Sequence, residues 1–197
     1  QKNNFYSNGI QGGIIANSLG MAFAEKYKKT GNIVTVFIGD GTWGEGITYE
    51  SLNLASLWKV PLFVVVENNR YAQSTKIEDN LAGSIQSRVR AFDIDSDQID
   101  SNDISVLYPK MASAIKYVRD RQEPYVQIVN TYRLNAHSKS DDDRPREEIK
   151  KYWEKEPLKY LELKIGKKDL IKIRSLVEKK LSIVEKKVNS MDFASIK

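Results

Sequence analysis

Between Ile33 and Asn69 the sequence carries two apolar runs, each ending in a polar cluster, and nothing else in the chain limits the fold so sharply. The first run, Ile33-Val34-Thr35-Val36-Phe37-Ile38, shows no polar/apolar alternation. That pattern predicts a strand buried on both faces of a parallel sheet. It leads straight into Gly39-Asp40-Gly41-Thr42-Trp43-Gly44-Glu45-Gly46. A helix is expected over 47–58, with Leu52, Ala55 and Ser56 on one side and Pro61 as its stop. Leu62 to Val66 then reads as a second strand of the same kind, and it ends on Glu67-Asn68-Asn69. Two parallel strands with a helix crossing between them form a βαβ unit. The expected class is therefore α/β: a parallel sheet with helices on both faces. Both polar clusters fall at the carboxyl edge, where open sheets of this kind bind ligands.

The residue types at that edge narrow the chemistry. Asp40 offers one carboxylate between two glycines, which let the backbone turn sharply and let a ligand come close. The amides of Gly41 and Thr42 precede a helix start, a natural place for phosphate. Asn69 adds an amide oxygen from the neighbouring strand end. One carboxylate and one or two neutral oxygens are too few to cage calcium. They suit Mg2+, which completes its octahedron with phosphate oxygens and water. The residues alone thus point to a magnesium–diphosphate site. Glu45 and Glu67 flank it, and an acid beside a glycine turn is read as a cap or hydrogen-bond partner, with no catalytic role.

The rest of the chain fits one α/β domain. Residues 1–13 read as a glycine-rich loop and 14–29 as a helix. Ala16, Gly20 and Ala24 share one face of that helix, suited either to tight packing within the domain or to contact with another subunit. Residues 75–102 read as irregular, with a short helix near Ile85 to Ala91; Arg88 and Arg90 are read as solvated surface. A helix is expected over 103–121, capped by Asn102 or Ser101, with Ile104, Leu107, Met111, Ile115 and Val118 at helical spacing. Pro124 introduces a third strand, Tyr125 to Val129, and His137, the single histidine, follows it. Residues 138–146 are a polar, mobile connector. The remainder is helical, with an amphipathic stripe through Leu170, Ile173, Val177, Leu181, Val184 and Val188.

Composition excludes several classes. The 197 residues contain no cysteine, which removes disulfides and thiolate chemistry, and one histidine, which argues against zinc. No apolar run approaches 18 residues, so nothing points to a membrane, and a cytoplasmic location is expected. The net charge of +5 lies in one place: residues 164–187 hold nine Lys or Arg against three acids. A basic helix without interleaved aromatics is a solvated face, so no nucleic acid is expected. Residues 1–163 form the expected α/β domain and 164–197 its basic helical extension.

Gly39-Asp40-Gly41, followed after 26 residues (42–67) by Asn68-Asn69, resembles the thiamine diphosphate motif. The segments Asn4-Phe5-Tyr6-Ser7-Asn8-Gly9-Ile10-Gln11-Gly12-Gly13 and Tyr132-Arg133-Leu134-Asn135-Ala136-His137-Ser138-Lys139-Ser140-Asp141-Asp142 resemble the α subunit of 2-oxoacid dehydrogenase first components. That group takes in pyruvate, branched-chain 2-oxoacid and acetoin dehydrogenases. The resemblance runs from about Asn4 to Leu163 and begins inside the family's fold, so the domain is expected to be N-terminally incomplete.

The resemblance implies a thiamine diphosphate-binding fold and the cofactors thiamine diphosphate and Mg2+. By it, Asp40, Asn69 and the Tyr71 carbonyl would hold the metal, and Gly41 and Thr42 would meet the diphosphate. Gly9 and Gln11 would contact the aminopyrimidine through main chain, and His137 would be catalytic. Relatives of the pyruvate type carry a second histidine two residues earlier; Asn135 stands there, which weighs against pyruvate. The implied partners are a β subunit in an α2β2 assembly, which supplies the ring-activating glutamate, and a lipoyl-bearing acyltransferase. The implied substrate is a 2-oxo acid or acetoin. The rival readings are a transketolase-like half, a non-oxidative decarboxylase, and an assembly subunit without turnover.

Overall fold

The computed structural model describes residues 4–139 and 141–192; the expectations for residues 1–3 and for Ser140 fall outside them. The chain divides into two compact units, Gln1–Glu154 and Lys155–Lys197. The first is an α/β layer structure. Its elements run α1 (Gln11–Lys28), β1 (Val34–Gly39), a 3-10 turn (Asp40–Gly44), α2 (Gly46–Leu57) and β2 (Leu62–Asn68). A two-stranded hairpin, β3 (Tyr71–Ala72) and β4 (Thr75–Lys76), leads to the short helices α3 (Ile77–Asn80) and α4 (Ile85–Arg90). Then come β5 (Asp95–Ile99), α5 (Ile104–Arg121), β6 (Tyr125–Asn130) and α6 (Arg146–Trp153).

The main sheet has the order β1-β2-β6-β5, all parallel. The chain leaves β2, passes over to β5 and returns through α5 to β6. Side chains alternate between two cores. On one face Val36, Ile38, Val64, Val66, Val126 and Ile128 pack against Ile15 and Leu19 of α1, Leu52 and Ala55 of α2, and Val89 of α4. On the other, Phe63, Val65 and Val129 pack against Ala114 and Val118 of α5. The expected helices on both faces are therefore present.

Several boundaries differ from the sequence-based expectation, each for a local reason. β1 is an edge strand and not buried on both faces: Thr35 is exposed and Phe37 is 61% exposed. Full burial of such a side chain is worth roughly 1.5–3 kcal/mol, which Phe37 leaves largely unclaimed. α1 begins at Gln11, so Gly12 and Gly13 belong to its first turn and not to a loop. α2 ends at Leu57, before Pro61, where Lys59 turns the chain with φ 48. The N-cap of α5 is Asp103, whose carboxylate accepts from Ser105 N at 2.9 Å; Ser101 Oγ in turn accepts from Asp103 N. Ile104, expected on the buried stripe, is exposed. β5 was hidden because Asp95-Ser96-Asp97-Gln98-Ile99 is polar and, at a sheet edge, buries only Ile99.

The second unit holds α7 (Pro157–Lys164) and α8 (Lys167–Asn189). Pro157 opens α7 in the first helical turn, where a missing N–H costs nothing. The apolar stripe of α8 is present, but Ile173, Val177, Leu181, Val184 and Val188 are all exposed. No described helix is long and apolar enough to cross a membrane.

Candidate active site

The carboxyl ends of β1, β2 and β6 bring the polar clusters together. Register pairs Gly39 with Glu67 and Asn68 with Asn130, so the three strands end level. Asn68 Nδ2 donates to Asn130 Oδ1 at 2.8 Å, and Asn130 donates on to Asp100. This amide chain ties the ends of β2 and β6 and the loop after β5. Position of Asn130 and Asp100 in it has no motif signal; only the sheet order reveals it.

β1 delivers Asp40 into the 3-10 turn, where it is 1% exposed. Burial pushes its carboxyl above the ordinary carboxylate range; the amides of Asp40 and Asn69 and the Arg133 guanidinium oppose that only in part. Asp40 Oδ2 and Thr42 Oγ1 are buried without a hydrogen-bond partner among the described residues, as is Asn68 Oδ1. Buried polar atoms are normally paired, because each unpaired one costs on the order of 1–3 kcal/mol. Asp40 Oδ2 and Thr42 Oγ1, two residues apart in one turn, suit something that supplies positive charge or hydrogen-bond donors; Trp43 Nε1, a donor of the same turn, is also buried without a partner among the described residues. Among the described residues no cluster of three His, Cys, Asp or Glu could hold a metal by itself. One carboxylate plus neutral oxygens fits magnesium that arrives with a phosphate ligand.

Gly41 is required by packing. A Cβ there would stand 2.7 Å from Ala72 Cβ on the hairpin after β2. That hairpin starts with Asn69, whose Oδ1 accepts from Tyr71 N at 2.9 Å, and with Arg70, a non-glycine residue at φ 65. Asn69 and the Tyr71 main chain are thereby set beside the Asp40 turn. Arg133 holds the hairpin from the β6 side, donating to the Gln73 carbonyl at 2.7 Å.

Glu45 is the hydrogen-bond partner that an acid in this position suggested. Its Oε1 accepts from Gly12 N at 3.1 Å, and a Cβ on Gly12 would come within 2.3 Å of Glu45 Oε2. This bond sets the start of α1 beside the end of the 3-10 turn. Gly9 and Gln11 lie at that helix start and are both exposed. Arg88, read as solvated surface, is instead structural. It donates to the Ala82 carbonyl and to Tyr49 OH, and Tyr49 donates to the Trp43 carbonyl, so Arg88 secures the 3-10 turn through Tyr49.

His137 follows β6 and is open: its side chain is 54% exposed, with Nδ1 3.5 Å from Asp141 Oδ2. Ser138 N and Oγ donate to Asp141 at 2.8 and 2.7 Å. Those bonds, with the His137 charge a smaller cause, hold the Asp141 carboxyl below its usual range. The segment expected to be polar and mobile, and by the family resemblance to order the cofactor site and meet the lipoyl carrier, is organised around Arg144. Arg144 is buried and donates to the carbonyls of Arg133 and Asn135 and to both oxygens of Asp142. Its bonds to Asp142 bring that carboxyl down to about 2. An arginine in a run of acids gave no hint of burial.

Residues 1–193 match the family model described as Dehydrogenase E1 component. The chain is 37% identical over 160 residues to the pyruvate dehydrogenase E1 component subunit alpha of Rickettsia felis, covering 79% of this chain and 49% of that protein. It is 33% identical over 193 residues to the same subunit of Rickettsia conorii, covering 96% and 58%. The chain thus spans about half the length of the curated relatives it matches. Among solved structures, a transketolase from Leishmania mexicana superposes with a TM-score of 0.55 at 22% identity, covering 64% of this chain and 20% of that one. A transketolase from Campylobacter jejuni gives 0.54 with the same identity and coverage, a likeness of fold alone. The chain belongs to the dehydrogenase E1 component family, and within it is similar to α subunits.

Proposed function

We propose that this chain carries the magnesium–diphosphate half of a thiamine diphosphate site in the α subunit of a 2-oxoacid dehydrogenase first component. The observation that carries the reading is the buried Asp40 carboxylate, with an unpaired oxygen, beside the unpaired Thr42 hydroxyl. Asp40, the Asn69 amide oxygen and the Tyr71 carbonyl are the metal ligands. Asn69 Oδ1 already accepts from Tyr71 N, and its second lone pair remains for a cation. The amides of Gly41 and Thr42 and the Thr42 hydroxyl receive the diphosphate, and Gly9 and Gln11 meet the cofactor's ring through main chain.

When bound, thiamine diphosphate supplies the nucleophilic carbon and electron sink that loss of carbon dioxide from a 2-oxo acid requires. The protein's share is to bind, orient and handle protons. His137, at the open end of β6 with Asp141 beside its Nδ1, is the group that gives and takes a proton at the reacting carbonyl oxygen. Transfer of the acyl product to a lipoyl-bearing acyltransferase, and completion of the site by a β subunit in an α2β2 assembly, complete the proposed cycle.

The substrate is a 2-oxo acid. The named relatives are pyruvate dehydrogenase subunits, which favours pyruvate, whereas Asn135, exposed and bonded only through its carbonyl to Arg133 and Arg144, replaces a histidine typical of that group. A transketolase-like activity has the fold in its favour, but the Tyr132–Asp142 stretch and the family match favour the dehydrogenase. Calorimetric titration of magnesium–thiamine diphosphate into the assembled enzyme tests the site. Binding is expected in the native protein and lost in Asp40→Asn; equal affinity in both would sink the metal assignment. Acyl transfer to lipoamide, as opposed to release of free aldehyde, separates the dehydrogenase from the decarboxylase.

A further inference from the structure

Two tyrosine hydroxyls from separate segments meet on one carboxylate. Glu148, on α6, accepts from Tyr71 OH at 3.1 Å through Oε1 and at 3.3 Å through Oε2. The same Oε1 accepts from Tyr132 OH at 3.0 Å. Tyr71 belongs to the hairpin after β2 and Tyr132 to the segment after β6 that leads to His137. The Arg144 guanidinium lies over both rings, 5.5 Å from that of Tyr71 and 4.9 Å from that of Tyr132. Tyr132 stacks on Tyr152, one turn further along α6, with centroids 3.7 Å apart and planes 3° apart.

We infer that Glu148 is a positioning residue: its carboxylate locks the metal-bearing turn at Asn69–Tyr71 to the His137 segment, so that the two halves of the site are set in one geometry. The inference rests on the function proposed above for Tyr71 and His137. The chemistry is asymmetric in a useful way. A carboxylate has about four acceptor positions and no donor, so it can take both hydroxyls at once, and bonds to a charged acceptor are the stronger kind. Burial first, and the bond to Glu148 second, push the Tyr132 hydroxyl up to about 12, and the same causes raise Tyr71. Both phenols therefore stay protonated and donate throughout the physiological range. Arg144 completes the arrangement: its fork fixes the Arg133 and Asn135 carbonyls while its face covers the two rings. Removing the carboxylate leaves two partly buried hydroxyls sharing no acceptor, and the two segments are then joined by the Arg144 face over the two rings and by the Arg133 bond to the Gln73 carbonyl.

The test uses the full α chain assembled with its partner subunit, in native form and as Glu148→Ala, Glu148→Gln and Tyr132→Phe. Amide hydrogen exchange is followed without cofactor, and binding of magnesium–thiamine diphosphate by calorimetry. In Glu148→Ala, exchange is expected to rise together in residues 69–72 and 132–139, and cofactor affinity to fall by about tenfold. Glu148→Gln keeps one acceptor oxygen and should recover most of both effects. Tyr132→Phe keeps the stack on Tyr152, so the fold survives; it should free residues 132–139 and leave 69–72 protected. Unchanged exchange in both segments for Glu148→Ala, or for Tyr132→Phe if the alanine variant does not fold, overturns the inference. A rise spread over the whole sheet, with no rescue by Gln, also overturns it, because Glu148 would then serve only general stability. If the native protein binds no cofactor, the proposed function fails, while the exchange experiment still decides whether Glu148 couples the two segments.

Discussion

Asp40 combines two roles that pull against each other. As a buried carboxylate with an unpaired oxygen it costs stability, because burial disfavours its charged form. In its proposed role as a metal ligand it is the single charged group assigned to the cation. Asp40→Asn keeps the shape and removes the charge, so in magnesium-free buffer at neutral pH its melting temperature is expected to exceed that of the native protein. Adding magnesium with thiamine diphosphate should reverse the order, since ligand at 100 times its Kd stabilises by about 2.7 kcal/mol and the variant gains nothing. A variant no more stable than native without metal would show that Asp40 is paired in solution. His137 makes the opposite case. It is exposed, with Asp141 as its close partner among the described residues, so His137→Ala should leave melting and cofactor affinity nearly unchanged. Turnover should fall on the order of a hundredfold or more, the usual cost of losing one acid–base group. Collapse of cofactor affinity with turnover per bound cofactor intact would make His137 structural. Asp40 and Asn69 stood out in the sequence because each directly follows an apolar strand, whereas His137, seven residues past β6, was singled out by the family resemblance. Glu148, Tyr132 and Arg144 were not, because their role depends on α6 folding back onto the strand ends, and no spacing in the chain encodes that return.

At the scale of elements, legibility followed burial. β2 and β6 lie in the middle of the sheet and bury most of their side chains; β2 reads as an unbroken apolar run from Leu62 to Val66, and β6 as one interrupted only by the buried Gln127. β5 lies at an edge, where polar residues are tolerated, and so it was invisible; β1 lies at the other edge and was overread as buried. Edge position is a property of the whole sheet, and a strand's own residues do not state it. α5 shows a further conflict between local and tertiary preference. Pro109 stands inside this helix, where it can donate no hydrogen bond to the preceding turn. The helix persists because Asp103 caps its start and Ala114 and Val118 are buried against the sheet. Pro109→Ala restores the missing donor, and it is expected to raise stability by up to about 3 kcal/mol, the ordinary cost of an interior proline. Denaturant unfolding measures this directly; a midpoint that falls would mean that the ring's own packing outweighs the lost bond.

At the scale of the whole molecule, several aromatic side chains of the first unit stand exposed beside the proposed half-site's own elements. Phe23 and Trp58 pack on each other with ring centroids 5.0 Å apart at the exposed join of α1 and α2, Tyr27 is 81% exposed nearby on α1, and Phe37 is bare on the edge strand. The small residues Ala16, Gly20 and Ala24 are only partly covered or open, so packing within this unit does not account for that face. The acids near the strand ends are already engaged: Glu45 with Gly12, Asp100 with Asn130, Asp142 with Arg144, and Glu148 with Tyr71 and Tyr132. Glu67 is open to solvent. None of these acids is placed to activate a cofactor ring, which the family resemblance assigns to a glutamate of the β subunit. The 197-residue chain by itself should therefore bind magnesium–thiamine diphosphate weakly, because the cost of ordering the cofactor is met by half of the contacts. It should release no carbon dioxide from a panel of 2-oxo acids and break down no acetoin, with an artificial electron acceptor present. A full-length α chain with its β subunit should restore tight binding and turnover together. Robust decarboxylation by the purified chain as a monomer would mean that a ring-activating acid lies within it, and the two-subunit reading would fall while the metal assignment at Asp40 stood.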